Sequence, residues 1–356
     1  MQHLSRRARL VARLPELEAD AFLITRLVNV RYLSGFTGSN GQLLVSPERA
    51  VFFTDPRYDE QSSREATGLE RRVYSREFTR DLGDACTELG ARRLAFEARG
   101  VTYDRYRRLA EIEGIELVPT EDEVERPRWV KDEGEVRLLE EAQALTDDAF
   151  ETTVGKLAPG MTEREVAFEL EVTMRRAGAE ALAFDTIAAF GEQAAEPHHR
   201  PGNRALAPGD LVKLDFGCMV GGYHSDMTRT VAFGEPGPRL RDIYDVVLRA
   251  QLAGIEAVRA GVTGGAADAA ARRVIEEAGH GDAFTHSLGH GVGLEVHEGP
   301  TLRKGSEEVL QAGAVVTVEP GVYLPGLGGI RIEDTVLVTE GGCRPLPKAP
   351  KELMVL

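Results

Sequence analysis

Four acids stand where an apolar run would ordinarily exclude them. Asp215 ends the run Leu211-Val-Lys-Leu, and Glu319 ends Val315-Val-Thr-Val. A second acid follows each: Asp226 after Gly221-Gly222-Tyr-His-Ser, and Glu333 after Gly328-Gly329-Ile-Arg-Ile. The two segments echo each other. In each, a glycine comes two residues after the first acid, and a Gly-Gly pair precedes the second acid by the same interval. In each, a threonine follows two residues later, at Thr228 and Thr335. Side chains alternate faces along a strand, so each segment reads as a β-hairpin with an acid on either arm. Asp215 and Asp226 are nearly symmetric about a turn at Val220-Gly221, and Glu319 and Glu333 about Gly326. Acids directly opposite across a ladder have Cβ atoms about 5 Å apart. Such like charges repel, and a fold tolerates them when a cation sits between. One pair alone would be read as solvent-facing strand ends. Two matching pairs inside Val/Leu runs call for a counter-charge.

The nitrogen donor is sought among five of the eight histidines: His198, His199, His286, His290 and His297. His286 and His290 are four apart, which on a helix would suggest a zincin. Gly289, Gly291 and Gly293 argue against a helix, and no glutamate lies between the two histidines. An extended, glycine-jointed segment fits better, and beside four orphan acids His290 becomes the nitrogen ligand. His198 and His199 lie in the proline-bounded loop Pro197-His-His-Arg-Pro201. Their residue types alone leave open whether they serve the surface or the site. Oxygen-rich sites with one imidazole suit Mn²⁺, Co²⁺, Fe²⁺ or Zn²⁺. Five ligands, four of them carboxylates able to bridge, fit two metals about 3.5–4 Å apart, and the chemistry is then hydrolysis.

Two regions of different texture must position these groups. Over the first ~125 residues short helical and strand patterns alternate, as expected of an α/β domain. Ala21–Thr25 reads as a buried strand, Gln42–Ser46 and Val51–Thr54 as a hairpin, and Leu94–Phe96 as another strand. The acidic segment Glu121–Pro127 reads as a linker, so the domains are expected at 1–126 and 127–356. A long helix should run from about Asp132 to Leu157, stopped by Pro159-Gly160. Thr162-Glu-Arg-Glu165 is a capping box that starts a helix with Val166, Leu170, Met174 and Ala177 on its inner face. Two further helices fit 240–260 and 265–278, and the glycine-dense remainder should be strands and tight loops.

Composition narrows the partners. A chain of 356 residues with 42 % hydrophobic and 28 % charged residues has enough apolar material for two cores. A net charge of −15 argues against nucleic acid, whose binding faces are basic. No apolar run approaches the ~18 residues a membrane span needs. The Arg-rich first 14 residues lack a continuous apolar stretch and precede Glu16, Glu18 and Asp20, so they do not read as a secretory signal. Three widely spaced cysteines, Cys86, Cys218 and Cys343, suit a reducing, cytoplasmic compartment.

These residues resemble the M24 metallopeptidases of pita-bread fold, the family of methionine aminopeptidase, aminopeptidase P and prolidase. The resemblance runs through Val212–Gly217, Ser225–Thr230, Gly289–Glu298, Val318–Tyr323 and Ile330–Asp334. It implies a creatinase-like α/β N-terminal domain followed by an α+β pita-bread catalytic domain. It further implies that Asp215 chelates one metal, that Asp226 and Glu333 bridge two, and that His290 and Glu319 complete the set. Glu319 would handle the proton of the bridging water. His198 and His297 would steady the substrate carbonyl and the oxyanion, with His199 the lesser of its pair. His286, Tyr323, Arg331 and Thr228 would orient these groups or meet substrate. Mn²⁺ is the expected metal, ahead of Co²⁺, Zn²⁺ or Fe²⁺, and a homodimer the expected assembly. Tyr32-Leu-Ser-Gly-Phe-Thr-Gly-Ser-Asn-Gly41 and Thr54-Asp-Pro-Arg-Tyr58 resemble short aminopeptidase P-like enzymes, although Pro56 replaces the usual glycine. The resemblance thus implies an Xaa-Pro aminopeptidase ahead of an Xaa-Pro dipeptidase (prolidase), with Xaa-Pro peptides or dipeptides as substrates. Methionine aminopeptidase and a metal-free peptide-binding module are the remoter readings, and the full ligand set counts against the second.

Overall fold

The computed structural model describes residues 2–74 and 77–356. The chain divides into two compact units, 1–127 and 128–356. In the first, strands β1 (Ala21–Ile24), β2 (Gln42–Val45), β3 (Ala50–Thr54), β4 (Glu70–Val73), β5 (Arg93–Glu97) and β6 (Glu116–Thr120) form one mixed sheet. Its order is β4-β3-β2-β1-β5-β6, with the β1/β2/β3 pairs antiparallel and the outer pairs parallel. Helices α1 (Gln2–Arg13), α2 (Leu27–Ser34), α3 (Asp59–Glu65), α4 (Phe78–Glu88) and α5 (Tyr103–Ala110) connect and cover it. Leu23, Leu44, Phe53, Leu94 and Phe96 pack with Leu82 and Cys86 of α4 into a closed core. This is the α/β unit the alternating pattern requires. A short helix α6 (Glu125–Trp129) falls where a plain linker was expected.

The second unit is α+β and is built from two similar halves. The first half begins with α7 (Glu133–Val154), capped by Asp132 in a capping box with Glu135. Helix α8 (Glu163–Arg176) follows, with the predicted Thr162/Glu165 box. Val166, Leu170 and Met174 are buried, but Ala177 is the exposed C-cap rather than part of that face. The helix has ended before its periodicity would carry Ala177 inward. Strands β7 (Ala181–Leu182), β8 (Ile187–Phe190), β9 (Asp210–Phe216), β10 (Cys218–Val220), β11 (Tyr223–His224) and β12 (Met227–Phe233) complete this half. Phe150, Leu170, Val212, Leu214 and Met227 share its core.

The second half repeats the plan with α9 (Pro238–Ala257) and α10 (Gly264–Glu277). Strands β13 (Gly289–Gly291), β14 (Glu298–Leu302), β15 (Val315–Val318), β16 (Gly321–Leu324), β17 (Gly328–Arg331), β18 (Asp334–Val338) and β19 (Cys343–Pro345) follow. Ile243, Val247, Ala271, Val316, Val318 and Val336 form its core. No helix among the described residues is long and apolar enough to cross a membrane.

The two hairpins differ in register. In the second, Val318 faces Asp334 and Gly321 faces Arg331, so both ladders bring Glu319 opposite Glu333 around Gly326. In the first, Asp215 faces Thr228, not Asp226, because the turn is Gly221-Gly222 rather than Val220-Gly221. Both turn glycines have positive φ, 57° and 81°, as a two-residue hairpin turn of primed type demands. Asp226 is therefore the diagonal neighbour of Asp215, on the same face but at a typical separation of about 7–8 Å.

Candidate metal centre

All five expected ligands line one cavity of about 470 Å³ within the second unit. Asp215 is the penultimate residue of β9, Asp226 immediately precedes β12, His290 is the middle residue of β13, and Glu319 and Glu333 lie in the short gaps beside β16 and β18. One ligand atom each from Asp226, His290 and Glu333 lie within 4.8 Å of one another. His290 Nε2 is 3.3 Å from Glu319 Oε1 and 3.7 Å from Asp226 Oδ2. The other ring nitrogen, Nδ1, lies 3.1 Å from the Gly291 carbonyl. A carbonyl only accepts, so Nδ1 carries a proton and donates to it, while Nε2 donates to Glu319 from the position where a cation at the acids would displace its proton.

The electrostatics of the cluster match a cation site. Burial pushes the Asp226 and Glu333 carboxyls well above the usual range, and neighbouring carboxylates push them further. Asp215 is raised by burial despite the Arg331 guanidinium beside it. Glu319 is the exception: burial raises it, but the hydrogen bond and charge of His290 outweigh this and hold it at about 2. Asp215 Oδ2 accepts from Arg331 Nη2, while its Oδ1 is buried without a hydrogen-bond partner among the described residues. Three buried carboxylates, the half-buried Glu319, an imidazole nitrogen and an orphan carboxylate oxygen form a donor set that fits two divalent cations. Bound cations would reverse the shifts that burial imposes on the acids.

The supporting residues form two connected systems. Thr228, fully buried, donates from Oγ1 to Glu333 Oε2 at 2.7 Å and accepts from Arg331 Nε at 2.9 Å. Arg331 Nη1 donates to the Tyr323 hydroxyl oxygen at 2.9 Å and to the Pro197 carbonyl at 3.2 Å. His286 Nδ1 lies 2.8 Å from the Ser287 carbonyl and so donates to it, leaving Nε2 to accept from Tyr323 Oη at 2.9 Å. On the other side, Thr317 Oγ1 donates to Glu319 at 3.0 Å and accepts from the His290 amide at 3.1 Å. The echoed threonines exchange support between the halves. Thr228 of the first half holds Glu333 of the second, and Thr335 of the second donates to the Asp226 carbonyl of the first at 2.8 Å.

His198 and His297 line the same cavity, both exposed toward its opening. The His297 ring is 4.3 Å from that of His290, edge to face. His199 also borders the cavity, but both its ring nitrogens are engaged by carboxylates. Its Nδ1 lies 2.8 Å from Glu196 Oε2 and its Nε2 2.9 Å from the fully buried Glu163. Tyr323 and Thr228 stand behind the ligands rather than on the cavity wall.

Some contributors escaped the sequence reading. Thr317 and Lys213 each sit two residues before an acid, at matching places in the echo. A polar residue inside an apolar run was the signal available for both. Lys213 is fully buried, and burial followed by the Arg331 charge pushes its ammonium down to about 6. Arg272 of α10 pairs with Asp268 and donates to the Phe284 and His286 carbonyls at 3.0 and 2.8 Å, pinning the segment that presents His286. Arg200 and Arg303 reach the cavity wall, and neither forms an ion pair among the described residues.

Comparison with known proteins places this geometry. A model of metallopeptidase family M24 matches residues 137–340, and a creatinase/prolidase N-terminal domain model matches residues 6–130. An Xaa-Pro dipeptidase of Pyrococcus furiosus is 37 % identical over 97 % of this chain and 98 % of its own length. A solved structure described as an Xaa-Pro dipeptidase from Bacillus anthracis is 43 % identical, covers 99 % of this chain and 100 % of that one, and superposes with a TM-score of 0.97. An X-Pro aminopeptidase structure from Thermotoga maritima is 39 % identical, with coverages of 99 % and 100 % and a TM-score of 0.92.

Proposed function

Because this chain belongs to metallopeptidase family M24, with a creatinase/prolidase N-terminal domain ahead of its pita-bread catalytic domain, we propose that it is a metal-dependent Xaa-Pro dipeptidase. The carrying observation is the cluster Asp215, Asp226, His290, Glu319 and Glu333 on the wall of one cavity. The comparisons favour the dipeptidase, the alternative reading, over the aminopeptidase expected first. That expectation rested on two short motifs of the N-terminal domain, whereas similar full-length relatives are described as Xaa-Pro dipeptidases. The cavity adds a chemical reason. A dipeptide brings a free carboxylate close to the scissile bond, and Arg200 and Arg303 are cations on the wall able to meet it.

Asp215, Asp226, His290, Glu319 and Glu333 would hold the metal pair. Two divalent cations there supply Lewis acidity to a peptide carbonyl and acidity to a water. Glu319, kept ionised beside His290, takes the water's proton at its carboxylate. His198 and His297, at the opening, donate to the oxygen on which charge develops. Arg331 and Tyr323 hold Asp215 and His286 in place through their hydrogen bonds. The reading also takes Mn²⁺ as the preferred metal, a cytoplasmic location and a homodimer.

The test compares Xaa-Pro dipeptides with Xaa-Pro-Yaa tripeptides under Mn²⁺, Co²⁺ and Zn²⁺. Cleavage confined to dipeptides supports the proposal. Efficient release of the first residue from tripeptides would return the assignment to aminopeptidase, the reading favoured by likeness to the Thermotoga enzyme.

A further inference from the structure

We propose that Lys213 is a positioning residue that sets His198 against the metal ligands. This rests on the proposed peptidase activity only for its kinetic readout. His198 makes no side-chain hydrogen bond among the described residues, so its place is set by the backbone that presents it. That backbone is anchored in an unusual way. Lys213 Nζ donates to the Ala194 carbonyl at 2.9 Å and to the Glu196 carbonyl at 2.6 Å. Arg331 Nη1 takes the next carbonyl, Pro197, at 3.2 Å. Beyond His198, His199 is tied to Glu163 and Glu196, and the Gly202 amide donates to Glu163 at 2.9 Å. His198 is thus the free side chain in a segment fixed on both flanks.

Among these anchors, Lys213 shares a strand with a metal ligand. Lys213 and Asp215 are two apart on β9 and so project from the same face. One strand therefore sets both a ligand and the approach to His198. Lys213 forms no ion pair among the described residues, and its Nζ lies 5.1 Å over the Tyr323 ring. A fully buried amine whose hydrogen bonds go to backbone carbonyls is poorly explained by stability alone, since apolar residues of similar volume commonly serve as well. Its geometry is explained if the carbonyls must stay where they are.

The experiment is a double-mutant cycle of Lys213→Met and His198→Ala in the Mn²⁺-loaded enzyme, with metal content measured for every variant. Lys213→Met should lower kcat and kcat/KM together by about ten- to a hundred-fold, as a misplacement of about 1 Å does. Metal stoichiometry should be unchanged, and in the His198→Ala background the same substitution should cost less than about three-fold. Multiplicative losses, or wild-type turnover in Lys213→Met, would overturn the proposal. If Lys213→Met does not fold, Lys213→Gln, neutral but still carrying two N–H donors, takes its place in the cycle. Amide hydrogen exchange gives a readout independent of turnover. Lys213→Met should speed exchange at 194–200 and leave β9 and β12 protected, while unaltered exchange at 194–200 would sink the idea. A wild-type enzyme that cleaves no Xaa-Pro peptide would refute the activity instead, with the exchange result still deciding the role of Lys213.

Discussion

Thr228→Val isolates one hydroxyl at the centre of the site. Valine has nearly the same shape, so no cavity opens at this fully buried position. Two interactions disappear: the 2.7 Å donation to Glu333 and the 2.9 Å acceptance from Arg331 Nε. The bond from the charged Arg331 contributes about 1.5–3 kcal/mol, and its Nε, left as an unpaired buried donor, costs about 1–3 kcal/mol. With some relaxation, the loss should be about 3 kcal/mol. For a domain of this size that lowers the metal-free Tm by about 6–12 °C. Freed from its donor, Glu333 should also hold metal about 10- to 100-fold more weakly, the usual effect of removing a group that orients a ligand. Calorimetric Mn²⁺ titration and thermal melts of the metal-free protein read both quantities. Thr335→Val is the control, because Thr335 donates to an uncharged backbone carbonyl and should cost only about 1 kcal/mol. Equal losses in the two variants, or unchanged Mn²⁺ affinity in Thr228→Val, would refute the argument that the Thr228 hydroxyl links the Arg331 guanidinium to Glu333 and holds that ligand in place.

Glu319→Ala should abolish hydrolysis and weaken metal binding while the N-terminal domain stays folded, checked by activity, metal content and circular dichroism; full turnover would contradict the role of Glu319. His198→Ala should reduce kcat at unchanged metal content, whereas His199→Ala should mainly lower Tm, and the reverse ranking would show that the wrong histidine faces substrate. The His199 effect should depend on pH. Burial lowers its pKa, but the hydrogen bonds it donates to Glu196 and Glu163, with their charges, outweigh that and raise it overall. Its stabilisation is therefore fully present below the ordinary histidine value of about 6.5 and is lost as pH rises through the raised folded-state value. The Tm gap between wild type and His199→Ala should accordingly shrink from pH 6 to pH 9. Gly289→Ala should destabilise severely, because a Cβ there would lie 2.0 Å from the Thr317 carbonyl oxygen beside His290; a stable, active variant would show that β13 can shift.

The cluster of acids was legible because burying an acid in an apolar run is costly enough to need a reason. Helix starts at Asp132 and Thr162 were legible for a local reason, since a cap and its partner lie within one turn. The register of the first hairpin was not. A slip of two residues keeps every side chain on its own face, so alternation cannot detect it. The paired glycines at 221 and 222, both suited to positive φ, were the better guide to the turn. Arg331 could be named from its motif, but its grip on the Pro197 carbonyl could not, and the same holds for Lys213. Backbone acceptors leave no trace in residue identity. Substrate preference was less legible, because the motifs used for it belong to the N-terminal domain and not to the residues that line the cavity.

The exchange of threonines between the two halves bears on how the protein comes together. The first half supplies Asp215 and Asp226, and the second supplies His290, Glu319 and Glu333. Neither half owns a complete donor set, and each lends a hydroxyl to the other, Thr228 to the Glu333 carboxylate and Thr335 to the Asp226 backbone carbonyl. Metal affinity is then a property of the seam. Ions that bind only the closed arrangement stabilise it by mass action, by about 2.7 kcal/mol at a hundred-fold excess over Kd. Metal supply in the cell would thereby govern the lifetime of the enzyme as well as its activity, with metal-starved chains opening along the join between α7–β12 and α9–β19 and exposed there to proteolysis.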